Sequence, residues 1–330
     1  MKGKIPKLII SKIVPDEVIS DLEGEFIDLK FNSLESEKIP ILIKSDIDVY
    51  KDTGELLLKF RKNVISRELC DIAFNSYKTV QMSRGAAARA GPIDKNRGYW
   101  KKRKLVDLNS NSKASKWMTK YIKQDGTVSK MIISNPVFTH VLGYYEKIPF
   151  MKLPCRLTNF TKRNLKKYEA GLPFIERIDE LFKELVPDRY KIQKKIADER
   201  PNFRINDTAF TTITVNRNFR TALHKDSGDL PTGFGNLSVL ERGHYHGGYT
   251  VLPQYGIAID VRQQDFLAMD VHEWHCNTPI YETEGDKKKN AKIKPDYAQH
   301  SERGVDGENK RYARLSFVCY VREKIIECEK

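Results

Sequence analysis

The C-terminal part of the chain leaves few choices of fold. "TAFTTITVN", "NLSVL", "YTVLPQYGIAIDV", "DFLAMDVHEWH" and "ARLSFVCYVRE" are short runs rich in Val, Ile, Thr and aromatic residues, separated by Gly, Pro, Asn and Asp. Runs of that kind, cut at such intervals by turn formers, predict an antiparallel sandwich or barrel. Upstream the texture differs. "LPFIERIDELFKELVPDRYKIQKKIADE" sets Ile175, Ile178, Leu181, Phe182 and Leu185 at helical spacing, and Pro187 divides the stretch into two helices. "SRELCDIAFNSYKTVQ" reads as a helix with Ser66 as N-cap and Leu69, Ile72, Ala73 and Tyr77 on one face. Before it, "IPILIKSDIDVYKDTGELLLKF" reads as two strands around an Asp-Thr-Gly turn. Helices first and strands after give an α+β class, in which a helical layer supports a β-core. We expect an N-terminal α+β elaboration over 1–150 and the core over 151–330, as one continuous unit.

Composition narrows the classes. With 330 residues and 40% hydrophobic content the chain can fill a sizeable core. No stretch of about 18 uncharged apolar residues occurs and the N-terminus lacks a signal-peptide pattern, so we expect an intracellular protein with no membrane partner. The five cysteines are scattered and form no CxxC pair, which predicts reduced thiols rather than disulfides or a zinc site. The net charge is +14. Between Arg84 and Lys130 stand thirteen Lys/Arg against three acids, with Tyr99, Trp100 and Trp117 interleaved. Cations mixed with flat rings suit a groove that neutralises phosphates while a base stacks. The "SRGAAARAGP" loop inside this stretch is long and basic, as functional loops are.

One motif carries chemistry. In "NFRTALHKDSGD", His224 and Asp226 lie one residue apart at a strand end, so their side chains share a face. A ferrous oxygenase centre needs two imidazoles and one carboxylate on one side, with positions left open opposite. The third ligand must come from a distant segment, and "FLAMDVHEWHCNTP" offers His272 and His275. Three residues apart on a regular strand they face opposite ways, and His275, at the segment end before Asn277 to Pro279, is the better placed. An oxo-acid co-substrate also needs a cation for its far carboxylate. Arg314 in "ARLSFVCYV" supplies a guanidinium fork, and Ser316 shares its face. Arg311 competes but cannot share that face on a regular strand. His244 and His246 in "GHYHGG" read as a hairpin tip rather than a second metal site.

Taken together, the stretch from "TAFTTITVNRNFRTALHKDSGD" through "DFLAMDVHEWHCNTP" to "RYARLSFVCYVRE" resembles the TET/JBP family of 2-oxoglutarate and Fe(II)-dependent nucleic-acid dioxygenases, over roughly residues 150 to 325. The resemblance carries His224, Asp226 and His275 as catalytic metal ligands, and Arg314 followed by Leu-Ser as the oxo-acid site with Ser316. It implies a double-stranded β-helix core buttressed by N-terminal and central helices. It implies Fe(II), 2-oxoglutarate and O2 as the cofactor and co-substrates, DNA as the partner, and oxidation of the 5-methyl group of 5-methylcytosine or thymine in a flipped-out nucleotide. Arg84, Arg89, Lys101 and Lys102 are the expected phosphate contacts. One departure is "YETEGDKKKNAKIKPDYAQHSERGVDGENKRY", inserted between His275 and Arg314 where the family often has a short hairpin, which we expect to form a mobile basic lobe. The alternatives are the same iron chemistry on RNA, a free nucleobase, a protein or a small metabolite, and a nucleic-acid-binding module with a spent oxygenase core.

Overall fold

Strand Ala313–Tyr320 shows how the core is assembled. Leu315, Phe317 and Cys319 point to one side and are fully buried among helices, while Arg314, Ser316 and Val318 point to the other and line a cavity. That is the period-two rule of a strand applied to a sheet with two different faces. Its neighbours follow it. Ile213 and Val215 of Thr212–Arg217, and Phe266 and Ala268 of Phe266–Met269, join the helical side. Leu267 and Met269 join the inner side.

The computed structural model describes residues 4–27, 41–96, 100–101, 103–106, 108, 113–293 and 311–329. Its main sheet runs Lys7–Ile10, Ile47–Lys51, Leu56–Arg61, Phe266–Met269, Gly235–Arg242, Ala313–Tyr320, Thr212–Arg217, Val137–Tyr145 and Met82–Ser83 in spatial order. A smaller sheet runs Cys276–Asn277, Thr250–Leu252, Ile257–Ile259 and Ile41–Ile43. Leu252, Ile257 and Ile259 of the small sheet pack against Leu237, Leu267 and Met269 of the large one. This is the double-stranded β-helix core. Helices Arg67–Tyr77, Leu172–Leu185 and Pro187–Asp198 buttress its outer face. Each fully buried Phe or Ile there contributes about 1.5–3 kcal/mol.

Local expectations are met with instructive exceptions. Ser66 caps Arg67–Tyr77 by accepting from the Leu69 N–H at 3.2 Å, but the buried face is Cys70, Ala73, Phe74 and Tyr77, and Ile72 is exposed. Pro187 opens the second central helix, as predicted. The expected hairpin forms from Ile47–Lys51 and Leu56–Arg61, whereas Ile41–Ile43 crosses to the small sheet. The N-terminal residues therefore extend both sheets, and the expected break near residue 150 lies beside the pairing of Val137–Tyr145 with Arg156–Leu157.

The cysteine reading needs correction. Cys155 and Cys328 form a disulfide with Cα atoms 5.9 Å apart, and only Cys70, Cys276 and Cys319 are free and buried. Their separation of 173 residues hides the pairing in the sequence, because only the fold brings the C-terminal segment beside residue 155. Of the expected basic lobe, the described part is the helix Glu284–Asn290, capped by Thr283 and Asp286. The run Lys287, Lys288 and Lys289, on which the expected lobe rested, lies in that helix, and residues 294–310 lie outside the described residues.

Candidate active site

His224 and His275 face each other as an antiparallel pair: each donates its main-chain N–H to the other's carbonyl at 3.0 Å. Directly opposed residues on adjoining strands share a face, so the two rings meet with centroids 4.2 Å apart. Each ring is turned the same way. His224 Nδ1 lies 2.8 Å from the carbonyl of Ala222, and His275 Nδ1 lies 2.9 Å from the carbonyl of Glu273. A carbonyl can only accept, so each Nδ1 carries the proton and each Nε2 presents a lone pair, the arrangement that orients metal-binding histidines.

Asp226 completes the group. Its oxygens lie 3.5 Å from His224 Nε2 and 3.8 Å from His275 Nε2. Its main-chain N–H donates to the carbonyl of Val271 at 3.1 Å. The three ligand atoms lie within 4.8 Å of one another. Burial works to raise the Asp226 carboxyl, and the polar groups that face it, the two imidazoles and Arg89, pull it below the ordinary carboxylate range. Burial pushes His275 down to about 4, which keeps the imidazole neutral. Two imidazoles and one carboxylate, all aimed at one point, are a donor set for a divalent transition metal.

His272 stands apart. Residues 270–274 form a turn rather than a regular strand, and His272 pairs with Asp270 at 3.3 Å away from the cluster.

Arg314 and Ser316 share a cavity with the trio. Arg314 is 2% exposed, and its Nε and Nη2 have no hydrogen-bond partner among the described residues. Burial lowers its pKa, yet a guanidinium stays charged, so a cation with two nitrogens unpartnered among the described residues faces the cavity. Arg311 is exposed and is not among the residues that line this cavity. Ser316 lies 3.4 Å from Asn216, which is itself held by Thr139 at 2.7 Å. Sequence reasoning missed Thr250. Its hydroxyl is buried, unpartnered among the described residues and lines the same cavity. An orphaned hydroxyl beside an orphaned guanidinium fits a carboxylate.

A second pocket of about 340 Å³ opens on the other side of His224 and Asp226. Thr214, Tyr320, Arg322, Asp229 and Trp117 are among its walls. Burial, and then the Asp226 charge, push the Asp229 carboxyl well above its ordinary range. Arg89 belongs to both cavities: half-buried, it lines the inner cavity and the outer pocket, and its carbonyl accepts from the Ala222 N–H at 2.9 Å. Arg84 is half-buried and Lys101 exposed; Lys102 lies outside the described residues. The two described rings of this stretch, Trp100 and Trp117, are not an open stacking platform. Trp100 is 1% exposed and donates to Asn135 at 2.7 Å, which in turn holds the carbonyls of Ala90, Gly91 and Pro92. Trp117 is buried against Gly24, and Tyr99 lies outside the described residues. His246 pairs with Asp286 at 2.9 Å, away from the trio.

A double-stranded β-helix with two histidines and an aspartate converging at one end, and a buried arginine along the same cavity, defines a metal- and oxo-acid-dependent oxygenase architecture. Residues 140–323 match the family Tet_JBP, described as the oxygenase domain of the 2OGFeDO superfamily, and the chain belongs to that family. It is 33% identical over 186 residues to the bifunctional helicase and thymine dioxygenase JBP2 of Trypanosoma brucei brucei, covering 56% of this chain and 15% of that protein. It is 36% identical over 142 residues to the thymine dioxygenase JBP1 of Trypanosoma brucei brucei, covering 42% of this chain and 16% of that one. The chain thus matches about one sixth of the length of these relatives. A solved structure titled NgTET1 in complex with 5mC DNA aligns over 94% of this chain and 92% of its own, at 12% identity and a TM-score of 0.49.

Proposed function

We propose that this domain oxidises the 5-methyl group of a pyrimidine in DNA, with Fe(II), 2-oxoglutarate and O2. The observation that carries the reading is the shared cavity: His224, Asp226 and His275 at one end, and at the other the buried Arg314, whose Nε and Nη2 have no partner among the described residues. His224, Asp226 and His275 would hold the metal, and Arg314, Ser316 and Thr250 the far carboxylate of the oxo-acid. A bound ferrous ion would supply the activation of O2 that a methyl C–H bond requires.

The chain's own residues do the rest. The main-chain carbonyls of Ala222 and Glu273 keep both Nε2 atoms free to bind. The outer pocket receives the target beside the metal, and its volume of about 340 Å³ lies at the small end of ligand pockets, in keeping with a single flat heterocycle. A base within a duplex cannot reach so deep, so the nucleotide must leave its stack. Exposed cations at Lys101, Lys104, Lys116, Lys123 and Lys130 lie in the segment that supplies Trp117 to the pocket, and they suit the flanking phosphates. Thymine is the first base to test, because the relatives carry the name thymine dioxygenase.

The test is mass spectrometry of nucleosides after incubation with Fe(II), 2-oxoglutarate and DNAs carrying either 5-methylcytosine or only thymine. A hydroxylated pyrimidine that depends on His224 is expected. Turnover of 2-oxoglutarate with neither base altered would refute the DNA reading.

A further inference from the structure

The turn Asp270–Trp274 supports two of the three candidate ligands. The carbonyl of Val271 accepts from the Asp226 main-chain N–H at 3.1 Å, and the carbonyl of Glu273 fixes Nδ1 of His275 at 2.9 Å. Within the turn, Asp270 Oδ1 accepts from the His272 N–H at 3.1 Å, and the Glu273 N–H donates to the Asp270 carbonyl at 3.3 Å. These bonds define its shape but do not anchor its outer side. The anchor comes from elsewhere in the chain.

Lys51 ends the strand Ile47–Lys51, in the N-terminal part of the main sheet and outside the segment 140–323 that matches the family. Its Nζ lies 2.6 Å from Glu273 Oε1 and 3.1 Å from Asp270 Oδ2. All three side chains are largely out of water, at 13%, 11% and 16% exposure. The exposed Glu55 at 3.6 Å is a lesser partner. The neighbouring strand Leu56–Arg61 reinforces the site, because the carbonyl of Leu57 accepts from the Asp270 N–H at 2.9 Å. One ammonium thus bridges both carboxylates of the turn, and in a site this dry such bonds hold geometry tightly.

We propose that Lys51 is a positioning residue for the metal centre: by bridging Asp270 and Glu273 it holds the turn from which His275 and Asp226 take their orientation, so the N-terminal extension sets metal affinity. This rests on the metal reading of the trio given above. Lys51 touches neither metal nor substrate. It acts by keeping the Val271 and Glu273 carbonyls where the ligands need them. Groups behind a ligand typically change metal affinity by about 10- to 100-fold when removed.

The experiment is a titration of the full chain with Co(II) alone, read by its d–d absorption, so that no turnover enters. Wild type should bind, and His224→Ala should not; loss of that contrast would overturn the metal reading itself. Given the contrast, Lys51→Met should raise the Co(II) dissociation constant about tenfold, with a changed band shape. Lys51→Arg, which can still bridge two carboxylates, should recover most of the affinity. Glu273→Gln removes the carboxylate but keeps the carbonyl that holds His275, and it should weaken binding in the same sense if Lys51→Met does not fold. Wild-type Co(II) affinity in Glu273→Gln and in any folded Lys51→Met overturns the proposal, whatever happens to the melting temperature.

Discussion

The two ends of the inner cavity are built by opposite rules. At the His224 end, every ring nitrogen that should carry a proton is tied to a main-chain carbonyl, and the two strands are tied to each other. At the Arg314 end, Nε, Nη2 and the Thr250 hydroxyl are buried with no hydrogen-bond partner among the described residues. Groups that offer lone pairs to a cation are frozen in advance. Groups that would receive an anion under the proposed function are kept dry and unmatched, which would cost stability until the anion arrived. The first end is pre-shaped and the second is under electrostatic tension.

Mutations should separate these rules. The largest effect is expected at the frozen end: His224→Ala or Asp226→Ala should abolish iron-dependent consumption of 2-oxoglutarate, and retained activity in either would place the centre elsewhere. At the tense end, Arg314→Met should raise the 2-oxoglutarate requirement by about 100-fold, because removing one partner of a buried ion pair costs about 2–5 kcal/mol. The same variant should melt no lower than wild type without ligand, since it removes an unmatched buried charge. A clear drop in melting temperature would mean that Arg314 has a structural partner and that the contrast is false. Thr250→Val should raise the requirement about fivefold, the worth of roughly 1 kcal/mol for one hydrogen bond.

His140 provides the control for an imidazole with no anchor, and its effect vanishes at neutral pH. Its ring stacks on Phe160 at 4.5 Å, and neither nitrogen has a partner among the described residues. Burial pushes it down to about 4. Below its unfolded pKa of about 6.5 the unfolded chain binds a proton that the folded one refuses, so stability falls as pH drops from there toward 4. His140→Leu should flatten that part of the urea-denaturation profile against pH. An unchanged slope would show that His140 is hydrated.

What was legible in the sequence was what strand periodicity controls. His224 and Asp226 share a face because they are two apart, and so do Arg314 and Ser316. His275 rather than His272 is the one that meets His224 and Asp226, but the supposed regular strand is a turn, and the pairing with His224 brings it there. Contacts between distant segments left no local trace. Lys51 on Glu273, Cys155 on Cys328 and Thr250 beside Arg314 join positions that no period relates. Arg89 and Trp100 were visible as part of a basic, aromatic stretch, but only the fold places the first at the cavity wall and the second in the interior.

The Gly247–Gly248 turn has a consequence for which acids can enter. Gly248 sits at φ +70°, and a Cβ there would come within 3.0 Å of Arg314 Nε and 3.1 Å of its Cδ. A methyl at 247 would meet the Pro279 carbonyl oxygen at 1.9 Å. The guanidinium therefore rests directly against bare backbone, and any larger residue would displace it along the cavity. If the proposed function holds, we expect the span between imidazoles and guanidinium to act as a calliper for diacid length, its setting held by a carbon atom that is missing.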